Sequence, residues 1–198
     1  MTGARNVAIL IFDEVEVLDF CGPFEVFSVT GRQKQQACFN VYTTAEKSGP
    51  VLARNQFSVN PRYTFADCPP PDILVVPGGW GTRREMSNPK VIDWIKSVAP
   101  KTELILSVCT GALLLARAGL LDGLKATTHR GALDLLRETA SKAEVLDNQR
   151  VIDNGKVILS AGVSAGIDAA FHVVARLLGK EEALETARYI EYDWRPET

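Results

Sequence analysis

Three short, uninterrupted apolar runs, each followed by a segment with helical periodicity, constrain the fold of this chain more than any other feature. The runs are Val7–Phe12 (VAILIF), Ile73–Val76 (ILVV) and Glu103–Val108 (ELILSV). A strand that is buried on both faces has no polar side, so such runs are typical of a parallel sheet between two helical layers. A barrel of eight strand–helix units needs about 250 residues. The 198 residues instead predict one α/β domain, 1–198, with an open, doubly wound, mostly parallel, flavodoxin-like sheet of about five or six strands.

Local start and stop signals divide the rest of the chain. Asn88 followed by Pro89 predicts a capped helix, and Gly22 with Pro23 predicts the start of another helix after the first strand. The Asn-Gly pair 154–155 favours a type I′ turn in a hairpin over 151–160, and Gly179 predicts a break between the last two helices. Further predicted strands cover 39–44, 56–60 and 125–128, and further predicted helices cover 110–118, 132–140, 164–178 and 181–189.

Composition excludes several classes of function. The 22 Lys and Arg against 24 Asp and Glu supply no cationic face for nucleic acid. No apolar run approaches the roughly 18 to 20 residues that cross a bilayer, and no secretory signal precedes the first strand. The glycine motifs that bind dinucleotides and nucleoside triphosphates are absent, and neither the cysteines nor the two histidines have zinc-ligand spacing. We therefore expect a cytoplasmic protein without nucleic acid, membrane, metal or cofactor.

Cys109 lies between the predicted strand 103–108 and the helix that follows it. A sharp turn there would present its sulfur at the carboxyl edge of the sheet, which is where ligands bind in such folds. The positive end of the helix would lower the pKa of the thiol and make Cys109 the most reactive of the four cysteines. The alternative is a buried, inert cysteine, since free cysteines are among the most buried residues.

Three other groups are expected at the same edge of the sheet. The Pro77–Gly81 loop (PGGWG) offers unobstructed backbone N–H groups of the kind that line an oxyanion hole, although glycine-rich turns are common. Asp19 is expected to meet Cys109 across neighbouring strand ends with a raised pKa, or else to be a solvated loop carboxylate or a helix-entry residue. His129 is either a base or hydrogen-bond partner, or an ordinary polar loop residue.

Five segments in fixed order resemble the ThiJ/PfpI superfamily, which shares its fold with the class I glutamine amidotransferases. They are VLDFCGPFEVF, VPGGWGTR, SVCTGALLLARAGLLDG, ATTH and SAGVSAGIDAAFHVVARLLG. The pattern is similar to the subgroup that contains isonitrile hydratases and the sensor domains of AraC-type regulators.

The resemblance implies a role for each candidate residue. Cys109 matches the nucleophile, Asp19 its acidic partner, and Thr110 a threonine that contributes to activity in isonitrile hydratases. The matching backbone donors are Gly79 and Thr110. His129 matches a histidine near the nucleophile, but Arg130 follows it where this subgroup commonly has tryptophan. The candidate pocket residues are Cys21, Gly78, Trp80 and His129.

Three functions follow from the resemblance. The first is a homodimeric, cofactor-free hydratase that converts an isonitrile to an N-substituted formamide. The second is a glyoxalase-type enzyme acting on methylglyoxal. The third is a non-catalytic redox or small-molecule sensor, since a related domain precedes the DNA-binding module in AraC-type regulators.

Overall fold

The computed structural model describes residues 3–196. Its strands are β1 (Arg5–Leu10), β2 (Phe39–Ala45), β3 (Val51–Leu52), β4 (Ser58–Val59), β5 (Tyr63–Thr64), β6 (Ile73–Val76), β7 (Leu104–Val108), β8 (Lys125–Ala126), β9 (Glu144–Val145), β10 (Val151–Asp153) and β11 (Val157–Ser160). Its α-helices are α1 (Val17–Val29), α2 (Thr82–Glu85), α3 (Pro89–Val98), α4 (Gly111–Arg117), α5 (Leu133–Thr139), α6 (Ala165–Leu178) and α7 (Lys180–Tyr189).

A central sheet with the strand order β10-β11-β7-β6-β1-β2-β5 organises the molecule. Every neighbouring pair is parallel except β10 with β11, so the predicted mostly parallel α/β architecture is confirmed. The sheet has seven strands, not five or six, partly because the two-residue β5 is too short to leave an apolar pattern. The predicted strand 56–60 is also misplaced, since β4 pairs only with β3 in a separate hairpin. Likewise, β8 pairs only with β9.

The three apolar runs form the centre of the core. The residues of β6 and β7 are all buried, and so are Val7–Leu10 of β1. Helices α1, α6 and α7 pack together on one face, while α2, α3 and α5 contact α4 on the other. From β1 the chain moves to β2 on one side and later to β6 on the other. The carboxyl ends of β1, β6 and β7 therefore border the crevice where the strand order reverses, which is the expected ligand position in open α/β sheets.

Helix α1 begins earlier than predicted. It starts at Val17 and contains Pro23 within it, so the Gly22–Pro23 signal does not mark its start. Gly22 has a packing role instead, because a Cβ there would lie 2.8 Å from Cγ1 of Ile167 in α6. The consequence for the site is that Asp19 lies in the first turn of α1 rather than in a loop.

Two of the local signals are confirmed and one is wrong. The Asn88 side chain accepts from the backbone N–H of Lys90 and caps α3, and Gly179 separates α6 from α7 with a φ of 98°. The β10–β11 hairpin forms as predicted. Its turn is not type I′, which needs positive φ at both central residues. Asn154 N–H donates to the Val157 carbonyl, so the central residues are Gly155 and Lys156, and of these only Gly155 has a positive φ.

No helix among residues 3–196 is long and apolar enough to cross a membrane.

Candidate active site

Cys109 forms a strained elbow between β7 and α4. Its φ is 54°, in the left-handed region that a non-glycine residue seldom occupies. The turn is held from both sides, because Cys109 N–H donates to the Ala161 carbonyl at 3.1 Å and the Thr128 hydroxyl donates to the Cys109 carbonyl at 2.8 Å. Glycine is required at position 111, where a Cβ would lie 2.0 Å from the Val76 carbonyl oxygen. Helix α4 therefore begins directly against the end of β6.

Asp19 is fully buried beside Cys109. Its Oδ2 accepts from the backbone N–H of Gly78 at 3.0 Å, while its Oδ1 has no hydrogen-bond partner in the structure. Burial raises the pKa of this carboxyl to about 7, against the lowering effects of the Gly78 N–H and of Cys109, and the charge of Glu16 raises it slightly further. The expected meeting of the two side chains is thus present.

The pKa of the Cys109 thiol moves in the direction opposite to that predicted from the sequence. Cys109 is only 5% exposed, and this desolvation raises its pKa first, with the charge of Asp19 adding to the rise. The backbone N–H groups of Val163 and Thr110 lower it, but they do not offset burial. Burial therefore has a larger effect on the thiol pKa than the positive end of the short helix α4, on which the sequence-based prediction depended. Burial and the neighbouring carboxylate therefore both favour the neutral thiol.

Gly79 is not the free backbone donor that the resemblance implied. Its N–H donates to the Thr110 hydroxyl at 2.9 Å, and that hydroxyl lies 3.1 Å from the Gly79 carbonyl. The buried Thr82 hydroxyl donates to the same carbonyl at 2.7 Å. Sequence reasoning missed Thr82, although it lies in the quoted segment VPGGWGTR. The Thr110 hydroxyl therefore fixes the loop, while its backbone N–H remains directed to the Cys109 sulfur.

The glycine loop leaves no room for side chains beside the pair. A Cβ at Gly78 would lie 2.4 Å from the backbone nitrogen of Thr110 and 2.8 Å from Asp19 Oδ2. Gly79 has a φ of 130°, which side chains rarely permit. The neighbouring Trp80 is 60% exposed, with the Arg83 guanidinium 4.4 Å from its ring centroid. Gly78 thus lines the site, whereas Trp80 lies at its solvent side.

His129 and Cys21 are placed less directly than expected. The half-buried His129 ring packs on Gly162, where a Cβ would lie 2.3 Å from Cδ2, and its Nδ1 accepts from Gly131 N–H at 3.1 Å. The ring therefore contacts the residue that precedes Val163, and the backbone N–H of Val163 is directed to the Cys109 sulfur. Cys21 is two residues from Asp19 on α1, a rotation of about 200°. Its side chain is half-buried, and its place in the pocket stays a prediction.

Two cavities among residues 3–196 lie away from the Cys109–Asp19 pair. One of about 640 Å³ lies along β10 and α6, and another of about 370 Å³ lies beyond the ends of β1 and β2. Neither is lined by Cys109 or Asp19. Within residues 3–196, no three His, Cys, Asp or Glu side chains cluster as metal ligands. The side chains of Cys109 and Asp19 are both buried.

A mostly parallel α/β sheet with a cysteine at a strand–helix elbow, beside a buried carboxyl, defines a class of proteins by its fold and by the position of that cysteine. The DJ-1/PfpI family is such a class, and its family model matches residues 5–176. This chain belongs to the DJ-1/PfpI family.

Relatives of the chain include both an enzyme and regulators. It is 34% identical over 189 residues to the isonitrile hydratase of Pseudomonas putida, covering 96% of this chain and 79% of the relative. It is 29% identical over 178 residues to the HTH-type transcriptional regulator CdhR of Pseudomonas aeruginosa, covering 90% of this chain. The chain spans about half (52%) of that regulator's length.

Solved structures agree with the fold. A ThiJ/PfpI family protein from Pseudomonas syringae has a TM-score of 0.87 at 30% identity, with 99% of this chain and 78% of that chain covered. Drosophila melanogaster DJ-1beta has a TM-score of 0.82 at 21% identity, with 96% and 100% covered. The second similarity concerns the fold alone.

Proposed function

We propose that this protein is a cysteine-dependent hydratase that converts a small isonitrile, R–N≡C, to the N-substituted formamide. The observation that carries the proposal is the buried pair, in which the side chains of Asp19 and Cys109 contact each other. The similarity to an isonitrile hydratase over 96% of the chain supports the same chemistry.

The reaction needs one nucleophile and one mobile proton, and the pair supplies both. The Cys109 thiol passes its proton to the Asp19 carboxylate, the sulfur forms a bond to the terminal carbon of the isonitrile, and Asp19 returns that proton to the same carbon, giving a thioimidate, R–N=CH–S–Cys. Water then adds to the same carbon. The C–S bond breaks, the thiolate recovers its proton, and R–NH–CHO leaves. Bonds and protons balance with no oxidant and no cofactor.

Burial suits this chemistry. Because the pKa of Asp19 is raised to about 7, its carboxyl can both accept the proton of the thiol and release it to the substrate near neutral pH. Its Oδ2 is held by Gly78 N–H, which leaves Oδ1 to carry the proton. A neutral, rod-shaped isonitrile enters a buried site at little desolvation cost, whereas a charged substrate would lose its hydration.

Activity assays with two substrates test the proposal. Purified protein is incubated with cyclohexyl isocyanide and, separately, with methylglyoxal, and N-cyclohexylformamide and lactate are quantified. We expect the formamide from the wild-type protein and from Cys38→Ala, which removes a half-buried thiol elsewhere, and none from Cys109→Ala. Lactate instead of formamide would replace the proposal with glyoxalase-type chemistry on the same thiol.

A sensor function is the second candidate, favoured by the similarity to the regulator CdhR. A protein that turned over neither compound, yet bound a small molecule or was oxidised at Cys109, would fit this candidate. Binding is measured by the ligand-dependent rise in melting temperature.

We also propose that the protein is a homodimer. Large apolar side chains are exposed on α1, on the β3–β4 hairpin and in the glycine loop, namely Leu18, Phe24, Leu52, Phe57 and Trp80. These elements adjoin one another through the segment that precedes α1. Its Glu14 N–H donates to the Leu52 carbonyl, and its Val15 forms an isolated β-bridge with Gly79. An apolar surface of this kind next to the site is suited to burial by a second copy.

A further inference from the structure

Val163 has a backbone conformation that its side chain opposes. Its φ is 47°, and it is the one β-branched residue with a left-handed backbone among residues 3–196. Such a residue costs on the order of 1–3 kcal/mol and persists only where its surroundings hold it. Its side chain is only partly buried, so core packing does not explain the strain. The explanation has to lie in what its backbone does.

The turn that contains Val163 is fixed at both ends. Upstream, the Ala161 carbonyl accepts from Cys109 N–H at 3.1 Å. Downstream, the Val163 carbonyl accepts from Gly166 N–H at 3.1 Å, and a Cβ at Gly166 would lie 2.6 Å from Cγ1 of Val108. The start of α6 is thus pressed against the end of β7. Two left-handed elbows, Cys109 after β7 and Val163 after β11, therefore stand side by side on neighbouring strands.

This arrangement directs the Val163 N–H to the sulfur. The backbone N–H groups of Val163 and Thr110 both donate toward Cys109 Sγ, each from a different strand–helix turn. We propose that Val163 is a positioning residue, whose strained backbone holds its N–H against the Cys109 sulfur so that this N–H and that of Thr110 together stabilise negative charge there.

The role matters twice in the proposed reaction. Hydrogen bonds to an ionised group are about twice as strong as those between neutral groups, so the two donors strengthen as the thiol passes its proton to Asp19. They strengthen again when the C–S bond breaks and the thiolate leaves. Since Gly79 N–H is engaged by the Thr110 hydroxyl, Val163 supplies the second donor that the resemblance had assigned to Gly79.

Replacing one amide by an ester isolates the N–H. Incorporation of 2-hydroxy-3-methylbutanoic acid at position 163 exchanges N–H for oxygen and keeps the isopropyl side chain. The same exchange at Ser164, with glyceric acid, places an ester one residue further along as the control. The rate of Cys109 alkylation by iodoacetamide between pH 6 and 9 reports the thiolate, and Cys38 alkylation in the same sample reports the integrity of the fold.

We expect the ester at 163 to slow Cys109 alkylation about tenfold at every pH, because one hydrogen bond to a charged group is lost. The ester at 164 removes no N–H that faces the sulfur. It should therefore leave the rate of Cys109 alkylation within about twofold of wild type. Equal rates for the two ester proteins would overturn the proposal.

A second measurement needs no ester. In a ¹H–¹⁵N spectrum of Cys109→Ala, the amide protons of Val163 and Thr110 lose their acceptor and should move upfield, with Ser164 moving less. An unmoved Val163 resonance would also overturn the proposal. The inference rests on the proposed function in taking Cys109 as the nucleophile. Neither test uses an isonitrile, so the donor role and the hydratase activity can fail separately.

Discussion

Asp19→Asn should change how the stability of the protein depends on pH. Burial raises the pKa of Asp19 from 3.8 to about 7 in the folded state, whereas the unfolded chain exposes an ordinary carboxyl. Between these values the folded state binds the additional proton, so the stability contributed by the neutral carboxyl is complete below pH 4 and is lost as the pH rises to 7. Asparagine is neutral throughout and retains an oxygen to accept from Gly78 N–H.

The size of the effect follows from the two pKa values. Each pKa unit corresponds to about 1.4 kcal/mol, so the rise from 3.8 to about 7 corresponds to up to about 4 kcal/mol. The free energy of unfolding of Asp19→Asn, relative to wild type, should therefore increase by about 1.4 kcal/mol per pH unit between pH 4 and 7, and then level off.

Urea unfolding, followed by circular dichroism at half-unit steps from pH 4 to 8, measures this difference. Asp93→Asn is the matched control, because Asp93 is an exposed carboxyl on α3 and its loss removes one negative charge at the surface. If the Asp19→Asn and Asp93→Asn curves remain parallel across this range, the buried, protonated carboxyl is refuted.

Three variants and the assembly state give further predictions. Asp19→Asn should lower isonitrile turnover by about 10²- to 10⁴-fold through loss of the acid, yet alkylation of Cys109 should be retained or faster, because the charge that raises the thiol pKa is gone; slower alkylation would contradict this. Thr110→Val leaves Gly79 N–H without its acceptor and should cost about 1–3 kcal/mol in urea unfolding, whereas Thr110→Ser should cost much less. Gly78→Ala should abolish turnover in the isonitrile assay, because the new Cβ would lie 2.4 Å from the Thr110 nitrogen; wild-type turnover would show that the loop can move aside. Light scattering at micromolar concentration should give twice the 21.6 kDa of one chain, and a monomer mass would exclude the dimer.

Patterns that depend on neighbouring residues were predictable from the sequence. The central strands β1, β6 and β7 could be read directly, because burial on both faces leaves an uninterrupted apolar run. Asn88 and Gly179 marked helix ends because capping is settled within a few residues. The positions of Cys109 and Asp19 at one edge of the sheet followed from the parallel topology.

Tertiary structure alone decided the protonation and the hydrogen bonds of the site. Desolvation depends on atoms brought from distant segments, so the raised pKa of Cys109 reverses the direction that the local helix suggested. The sequence suggested that Gly22 starts a helix, because its packing against Ile167 of another helix is visible only in the tertiary structure. In the same way, the backbone N–H of Gly79 proved to be bonded to the Thr110 hydroxyl, because this depends on which groups meet between distant segments. The sequence determined the fold and the position of the thiol; packing determined the charge state of the thiol and the N–H groups that face it.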